Sequence, residues 1–247
     1  MRITEHIALV ASGRLGFGLT SPYDCNVFLV SSRDEALLID TGCGLASEET
    51  TRRVETFLPS ATRVSRILVT HSHADHAAGA ADLHHLLGAQ VYGPSASAEA
   101  MRMADRERSL FAAAQAAGTY PTDLEYPSIP VTEPVEDGDT FPIGDLELEA
   151  FAAPGHAYDH TVYLLKGGPG GPVLFAGDLI LTDGRVLLLA SEDCRLDLYA
   201  ATMKRLCGLR VSGLMPGHGA FLVSDGHEVI RQASAQFDRL VPPPSLI

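Results

Sequence analysis

Three histidines and one aspartate are concentrated in one short stretch of this chain, and they constrain the fold more than any other feature. Residues 70–79 read T-H-S-H-A-D-H-A-A-G, and the polar side chains of interest are His71, His73, Asp75 and His76. The apolar residues 67–69 precede this stretch, and an alanine-rich segment that Gly88 would close follows it. A short buried strand should therefore lead into a helix here, with the histidines at the turn.

This spacing of imidazoles and a carboxylate predicts a metal site. Neutral imidazole and carboxylate suit zinc or iron, and no thiolate is needed. Ligands two residues apart on a tight turn can converge on one ion, while the next two can serve a second ion. The alternative is a polar surface loop or an incidental histidine run, which the ligand types and their spacing disfavour.

The stretch resembles a known signature. Residues 71–76 match the H-x-H-x-D-H pattern of the metallo-β-lactamase-fold hydrolases, and Thr70 and Gly79 are also similar to that family's version. Four further motifs are similar to those of the family and occur in its order: L-I-D-T-G at 38–42, P-G-H at 154–156, A-G-D at 176–178 and P-G-H at 216–218. Each later motif is weak by itself, whereas the ordered set is specific and covers most of the chain.

The resemblance implies a fold and a ligand set. The fold class would be α/β (α+β), an αββα sandwich of two mixed β-sheets flanked by helices, with the metals in a groove at one edge. Periodicity alone gives only a mixture of α and β structure. The resemblance assigns His71, His73 and His156 to one metal, and it assigns Asp75, His76 and His218 to the second. Asp178 would bridge the two.

The reaction that the resemblance implies is metal-assisted hydrolysis. Two Zn²⁺ per chain, or alternatively Fe or Mn, would supply a metal-bound hydroxide that cleaves a small ester, lactone or thioester. Asp75 would also accept and hand on a proton. Tyr158 and His160 stand where many relatives have a small turn, and Tyr158 would either stabilise an oxyanion or cap the groove. A mononuclear iron persulfide dioxygenase of the same fold is the alternative function, and a metal-binding protein without catalysis is a third.

The signature strand is preceded by a second polar strand end, Asp40. Its counterpart in the family lies close to the metals, so Asp40 either orients a ligand histidine or bonds its own turn.

The net charge and the hydropathy of the chain limit the classes of partner that we expect it to bind. The chain has 18 Lys and Arg against 31 Asp and Glu, a net charge of −13. Such a surface repels phosphate backbones and anionic membranes, so we expect a small-molecule substrate and neither a nucleic-acid nor a membrane partner. No basic start with an apolar core is visible near residue 1, so a cytoplasmic location is expected and a secreted antibiotic hydrolase is disfavoured. The four cysteines form no C-x-x-C pair and are expected to be reduced. The sequence leaves the oligomeric state open.

We expect one metallo-β-lactamase-like domain over residues 1–247, with a lid insertion at 94–138. The insertion should contain a helix over residues 96–117 and then a proline-rich half with little regular structure. Long irregular insertions are often lids or binding loops, and a spacer is the alternative. Elsewhere strands are expected at 7–10, 26–30, 36–40, 90–92, 140–143, 146–151, 161–165, 173–176 and 211–215. Helices are expected at 47–57, with Ser47 as its cap, and at 77–87, 196–206 and 226–240.

Overall fold

The computed structural model describes residues 1–246, which form two compact units. Unit 1 comprises residues 1–135 and 143–145, and unit 2 comprises residues 136–142 and those from 146 onward. Each unit contains one mixed β-sheet with helices packed against it. The predicted fold class, with two mixed sheets flanked by helices, is confirmed.

Unit 1 is built on a six-stranded sheet with the strand order β1-β2-β3-β4-β5-β6. The first three strands pair antiparallel, and β3 to β6 pair parallel. The parallel strands therefore bring their carboxyl ends to the same edge of the sheet. The strands are β1 (Ile7–Ala11), β2 (Val27–Ser32), β3 (Glu35–Ile39), β4 (Arg63–Leu68), β5 (Gln90–Pro94) and β6 (Val131–Val135).

The core of unit 1 lies between this sheet and its helices. Leu38 and Ile67 from the strands join Val54 and Leu83 from two helices in one buried apolar cluster. The adjacent residue Leu37 is also fully buried, so β3 reads as a continuous apolar run and not as an alternating one. The helices are α1 (Ser47–Phe57), α2 (Ala74–Ala77), α3 (Ala80–Leu87), α4 (Ala98–Arg102) and α5 (Phe111–Ala116).

The insertion differs from its prediction in two places. The expected helix over residues 96–117 is divided into α4 and α5, because Ala104 and Leu110 have positive φ values of 52° and 57° that a helix does not contain. The second half is more regular than predicted, since it ends in β6, an edge strand paired with β5. Pro134 within β6 has no N–H to donate, which an edge strand tolerates.

Unit 2 is built on a five-stranded sheet with the strand order β11-β10-β9-β8-β7. Strands β8, β9 and β10 pair antiparallel, and β10 and β11 pair parallel. The strands are β7 (Thr140–Ile143), β8 (Leu146–Ala152), β9 (Thr161–Lys166), β10 (Val173–Gly177) and β11 (Gly213–Pro216).

Two helices, α6 (Leu196–Leu206) and α7 (Gly226–Asp238), cover an apolar face of this second sheet. Tyr199 of α6 stacks on Phe237 of α7 with ring centroids 5.6 Å apart. Gly155 lies directly under α6, where a Cβ would come within 2.7 Å of the Tyr199 Cα. Its φ of +153° also favours glycine, so this position admits no larger residue without a shift.

Helix boundaries were predicted well, and helix capping less well. The bounds of α1 and α6 match the prediction, and α3 ends at Gly88 as expected. The predicted cap at Ser47 is wrong, because its hydroxyl donates to the carbonyl of Gly44 and the N-cap position is Ala46. The helix expected at 77–87, after the histidine motif, is divided into α2 and α3 at residues 78–79. Within residues 1–246 no helix has the length and apolar character needed to cross a bilayer.

Candidate metal centre

The stretch of residues 70–79, called the signature loop below, lies at the carboxyl end of β4, as the sequence predicted. Beyond the end of β4, the backbone N–H of Val69 still donates to the carbonyl of Tyr92. His73 has extended backbone angles and is the N-cap residue of α2. Gly79 donates its N–H to the Gly42 carbonyl, and a Cβ there would lie 2.6 Å from the Thr41 carbonyl oxygen. The loop is therefore held tightly from both sides.

His71 and His73 form the first pair of predicted ligands in unit 1. His71 Nε2 and His73 Nδ1 are 3.0 Å apart, and the side chains are 0% and 9% exposed respectively. On its other side His71 Nδ1 lies 3.0 Å from the Thr70 hydroxyl. Two ring nitrogens that face each other at this distance can turn their lone pairs to one cation, as the prediction for the first metal requires.

Asp75 and His76 form the second pair. His76 Nε2 lies 3.6 Å from Asp75 Oδ2, and His76 Nδ1 lies 2.8 Å from Asp40 Oδ2. A carboxylate only accepts hydrogen bonds, so the proton of neutral His76 is on Nδ1. Nε2 is then an unprotonated nitrogen, which is the form that binds a metal.

Asp40 orients His76, a predicted ligand, which is the first of the two roles considered for Asp40. It is 2% exposed and accepts hydrogen bonds from the backbone N–H of Thr70 at 2.7 Å and from the Thr70 hydroxyl at 3.0 Å. Its φ of 62° lies in the left-handed region, which is uncommon for a residue other than glycine. The strain is offset by contacts to the signature loop, so Asp40 links the end of β3 to His76.

Unit 2 carries the other three predicted ligands, His156, Asp178 and His218, each beyond the end of a strand. They are 1%, 3% and 5% exposed. His156 Nε2 lies 3.6 Å from Asp178 Oδ2, and His218 Nε2 lies 3.5 Å from Asp178 Oδ1. The two oxygens of Asp178 therefore face two different histidines, as a bridging carboxylate would.

The orientation of His156 and Asp178 is fixed by neighbouring groups. His156 Nδ1 lies 2.9 Å from the Leu187 carbonyl, which only accepts, so Nδ1 carries the proton and Nε2 is unprotonated. The backbone N–H of Asp178 donates to His160 Nε2 at 3.0 Å. The sequence left the role of His160 open, and this contact makes it a support for the aspartate.

Asp75 and Tyr158 are the two residues predicted to take part in catalysis. Asp75, with its side chain 15% exposed, accepts a hydrogen bond from the Tyr120 hydroxyl at 2.6 Å. Sequence reasoning missed Tyr120, because no spacing connects it to the signature. Tyr158 is half-buried in the turn between β8 and β9, and its role stays a prediction.

The donor set of both units fits a divalent metal ion. It consists of buried imidazole nitrogens and carboxylate oxygens, and two of the histidines are held in the metal-binding tautomer. Burial raises the pKa of the Cys25 thiol beside His76 well above its ordinary value. Cys25, Asp40 and His76 also lie close enough together to hold an ion.

The chain resembles known proteins in sequence and in fold. The family model of the metallo-β-lactamase superfamily matches residues 20–233. The chain belongs to this superfamily. Its similarity to solved metallo-β-lactamases also establishes the fold. An enzyme from Cronobacter sakazakii superposes with a TM-score of 0.68 at 21% identity, covering 90% of this chain and 89% of that one. A subclass B3 enzyme of Bradyrhizobium japonicum superposes with a TM-score of 0.64 at 20% identity, covering 87% of both chains.

Two proteins that are named as thioesterases also resemble the chain in sequence. The thioesterase pkgB of Emericella nidulans is 28% identical over 216 residues, which is 87% of this chain and 51% of that protein. The atrochrysone carboxyl ACP thioesterase AgnL7 of Paecilomyces divaricatus is 28% identical over 197 residues, which is 80% of this chain and 51% of that protein. The chain thus spans about half the length of the curated relatives it matches.

Proposed function

We propose that this protein is a dinuclear-metal hydrolase that cleaves a small ester, lactone or thioester. One metal would be held by His71, His73 and His156, and the second by Asp75, His76 and His218. Asp178 would bridge them. The observation that carries the proposal is the Asp178 carboxylate, whose two oxygens face His156 and His218 separately.

The pairing within unit 1 supports the same division of ligands. His71 and His73 turn nitrogens toward each other, and Asp75 and His76 form a separate pair. To complete its proposed ligand set, each pair needs one further histidine and the shared carboxylate of Asp178. Unit 2 contains these residues. We therefore propose that residues 1–247 act as one metallo-β-lactamase-like domain with the insertion at 94–138 as its lid.

The metals we propose are two Zn²⁺ per chain, with Fe or Mn as the alternative. Bound Zn²⁺ would lower the pKa of its water to about 7, and the second ion would polarise the carbonyl under attack. We propose that Asp75 accepts a proton and passes it to the leaving group, and the partly exposed position of its side chain beside His76 supports this role. We propose that Tyr158 stabilises the oxyanion or caps the groove, and its half-buried position suits either role.

A thioester is the substrate class we would test first. Four of the sequence relatives carry the name thioesterase, and the acidic chain, with a net charge of −13, disfavours polyanionic polymers as substrates. We therefore propose a small-molecule substrate, a cytoplasmic location, and neither a nucleic-acid nor a membrane partner.

Metal analysis combined with an activity panel tests the proposal. The purified protein should contain close to two metal ions per chain and should hydrolyse at least one of a set of acyl thioesters, lactones and small esters. Chelation should abolish this activity and lower the melting temperature, because a metal that binds only the folded state stabilises it. A fully active preparation without metal would contradict the proposal.

The His218→Ala variant separates hydrolysis from dioxygen chemistry. His218 completes the second site, so its loss should reduce hydrolytic turnover at least about tenfold, roughly 1.4 kcal/mol in the barrier. Hydrolysis should also continue under strict anaerobiosis with zinc as the metal. If turnover instead needs iron and dioxygen and tolerates loss of His218, the persulfide dioxygenase interpretation replaces this one.

A further inference from the structure

Three aromatic rings from the insertion pack together in unit 1. Phe111 of α5 lies 5.7 Å from the ring of Tyr120 and 5.7 Å from that of Tyr126, measured between centroids. The three side chains are 0%, 9% and 5% exposed, and the Arg106 guanidinium lies 5.0 Å from the Phe111 ring. The cluster is therefore a rigid, buried part of the segment that was predicted as a lid.

The two tyrosines of this cluster direct their hydroxyls at the signature loop. Tyr126 donates to the backbone carbonyl of Ser72 at 2.8 Å. Tyr120 donates to Asp75 Oδ1 at 2.6 Å. The first hydrogen bond holds the backbone of the loop, whereas the second reaches the side chain of a proposed ligand.

We propose that Tyr120 is a positioning residue for Asp75. A carboxylate can turn about its side-chain bonds, and Asp75 is only partly enclosed, with 15% of its side chain exposed. The phenol occupies Oδ1, and this leaves Oδ2 directed at His76 Nε2, 3.6 Å away. The backbone at Asp75 is held independently, since its carbonyl accepts from the N–H of Cys25. The contribution of Tyr120 is thus the direction of the carboxylate.

This inference rests on the proposed function, in which Asp75 binds the second metal and moves a proton. It adds a second role for the insertion. A segment that borders the substrate would in this way also set the geometry of a metal ligand, because Phe111 and Tyr126 fix the ring that carries the hydroxyl. A change in the insertion would then alter metal binding as well as substrate choice.

The matched variants Tyr120→Phe and Tyr126→Phe test the inference. Each keeps its ring in the cluster and loses one hydroxyl, so both should fold and lose similar amounts of thermal stability. Metal binding is measured by titrating the metal-free proteins with Zn²⁺ in the presence of a chromophoric chelator. Turnover is measured on whichever substrate the wild-type protein hydrolyses.

Tyr120→Phe should weaken binding of the second zinc ion about tenfold, the lower end of what loss of a contact to a metal ligand costs. It should reduce kcat by a similar factor with KM changed less than twofold. Tyr126→Phe should bind the second zinc ion more tightly than Tyr120→Phe does. Equal affinities and equal kcat in the two variants would overturn the inference and leave the proposed function standing. Failure of the wild-type protein to bind a second ion would overturn both.

Discussion

Replacing Asp40 by Asn should weaken the metal site at His76 without preventing folding. The Asp40 carboxylate is 2% exposed and accepts hydrogen bonds from the Thr70 backbone N–H and from His76 Nδ1. An asparagine has almost the same shape and can fill the same space. Only one of its two polar atoms, however, is an acceptor.

The amide has two orientations, and both are unfavourable. If its oxygen faces Thr70, its NH₂ faces His76 Nδ1, which must then accept, and the proton moves to the nitrogen that would bind the metal. If its oxygen faces His76, its NH₂ opposes the Thr70 N–H and leaves that buried donor unpaired. Changes to groups that support a ligand typically cost 10–100-fold in metal affinity, or about 1.4 to 2.7 kcal/mol.

The assay is the zinc titration of metal-free Asp40→Asn against the wild-type protein, with melting temperatures of both metal-free proteins. Asp145→Asn is the control, because it removes a carboxylate from an exposed ion pair with Arg33, and such pairs contribute little. Wild-type zinc affinity in Asp40→Asn would refute the argument that this carboxylate fixes the His76 tautomer.

Further expectations follow from other parts of the chain. His156→Ala should reduce occupancy of the first metal more than the second, and equal loss at both, read by competition titration, would show that Asp178 couples them or that the assignment is wrong. Arg205 forms a hydrogen-bonded ion pair that lowers the pKa of Asp137 from 3.8, so Arg205→Gln should reduce stability modestly above pH 3.8, and the difference should disappear as the pH falls through the lowered pKa. Denaturant titrations at pH 3 and pH 7 measure this difference. Burial raises the pKa of Cys43 to about 12, so iodoacetamide at pH 8 should label it only as fast as the native protein opens, which mass spectrometry of timed samples would reveal.

The positions of the ligands could be predicted because the sequence marks them locally. Each proposed ligand segment follows a strand and carries a short motif with a polar side chain, so the same sequence patterns locate the strand ends and the candidate ligands. The prediction of β10, with Asp178 just beyond its end, is an example, and the bounds of α6 illustrate the same point for helices. The local sequence pattern was sufficient to predict elements that their own residues specify, such as β10 and α6.

Contacts between distant segments could not be predicted in this way. Tyr120 and Asp75 are separated by 45 positions, and nothing in either segment specifies the other. The contact of His160 with the Asp178 backbone has the same origin. The interruption of the insertion helix depends on positive φ values at Ala104 and Leu110, residues whose intrinsic preferences favour a continuous helix. Tertiary packing decided these cases.

The pairing of β5 with β6 limits how this protein can be engineered. These neighbouring strands are parallel, so the chain between them must travel back along the sheet before β6 begins. Parallel neighbours cannot be joined by a tight hairpin and need a connection of roughly a dozen residues or more. A graft from another member of the superfamily into the stretch from 95 to 130 must therefore be long enough to make the return, and it must keep the buried residues Phe111, Tyr120 and Tyr126. Deletion of the whole insertion, residues 94–138, would remove the edge strand β6, so variants of this stretch should leave β5 and β6 unchanged.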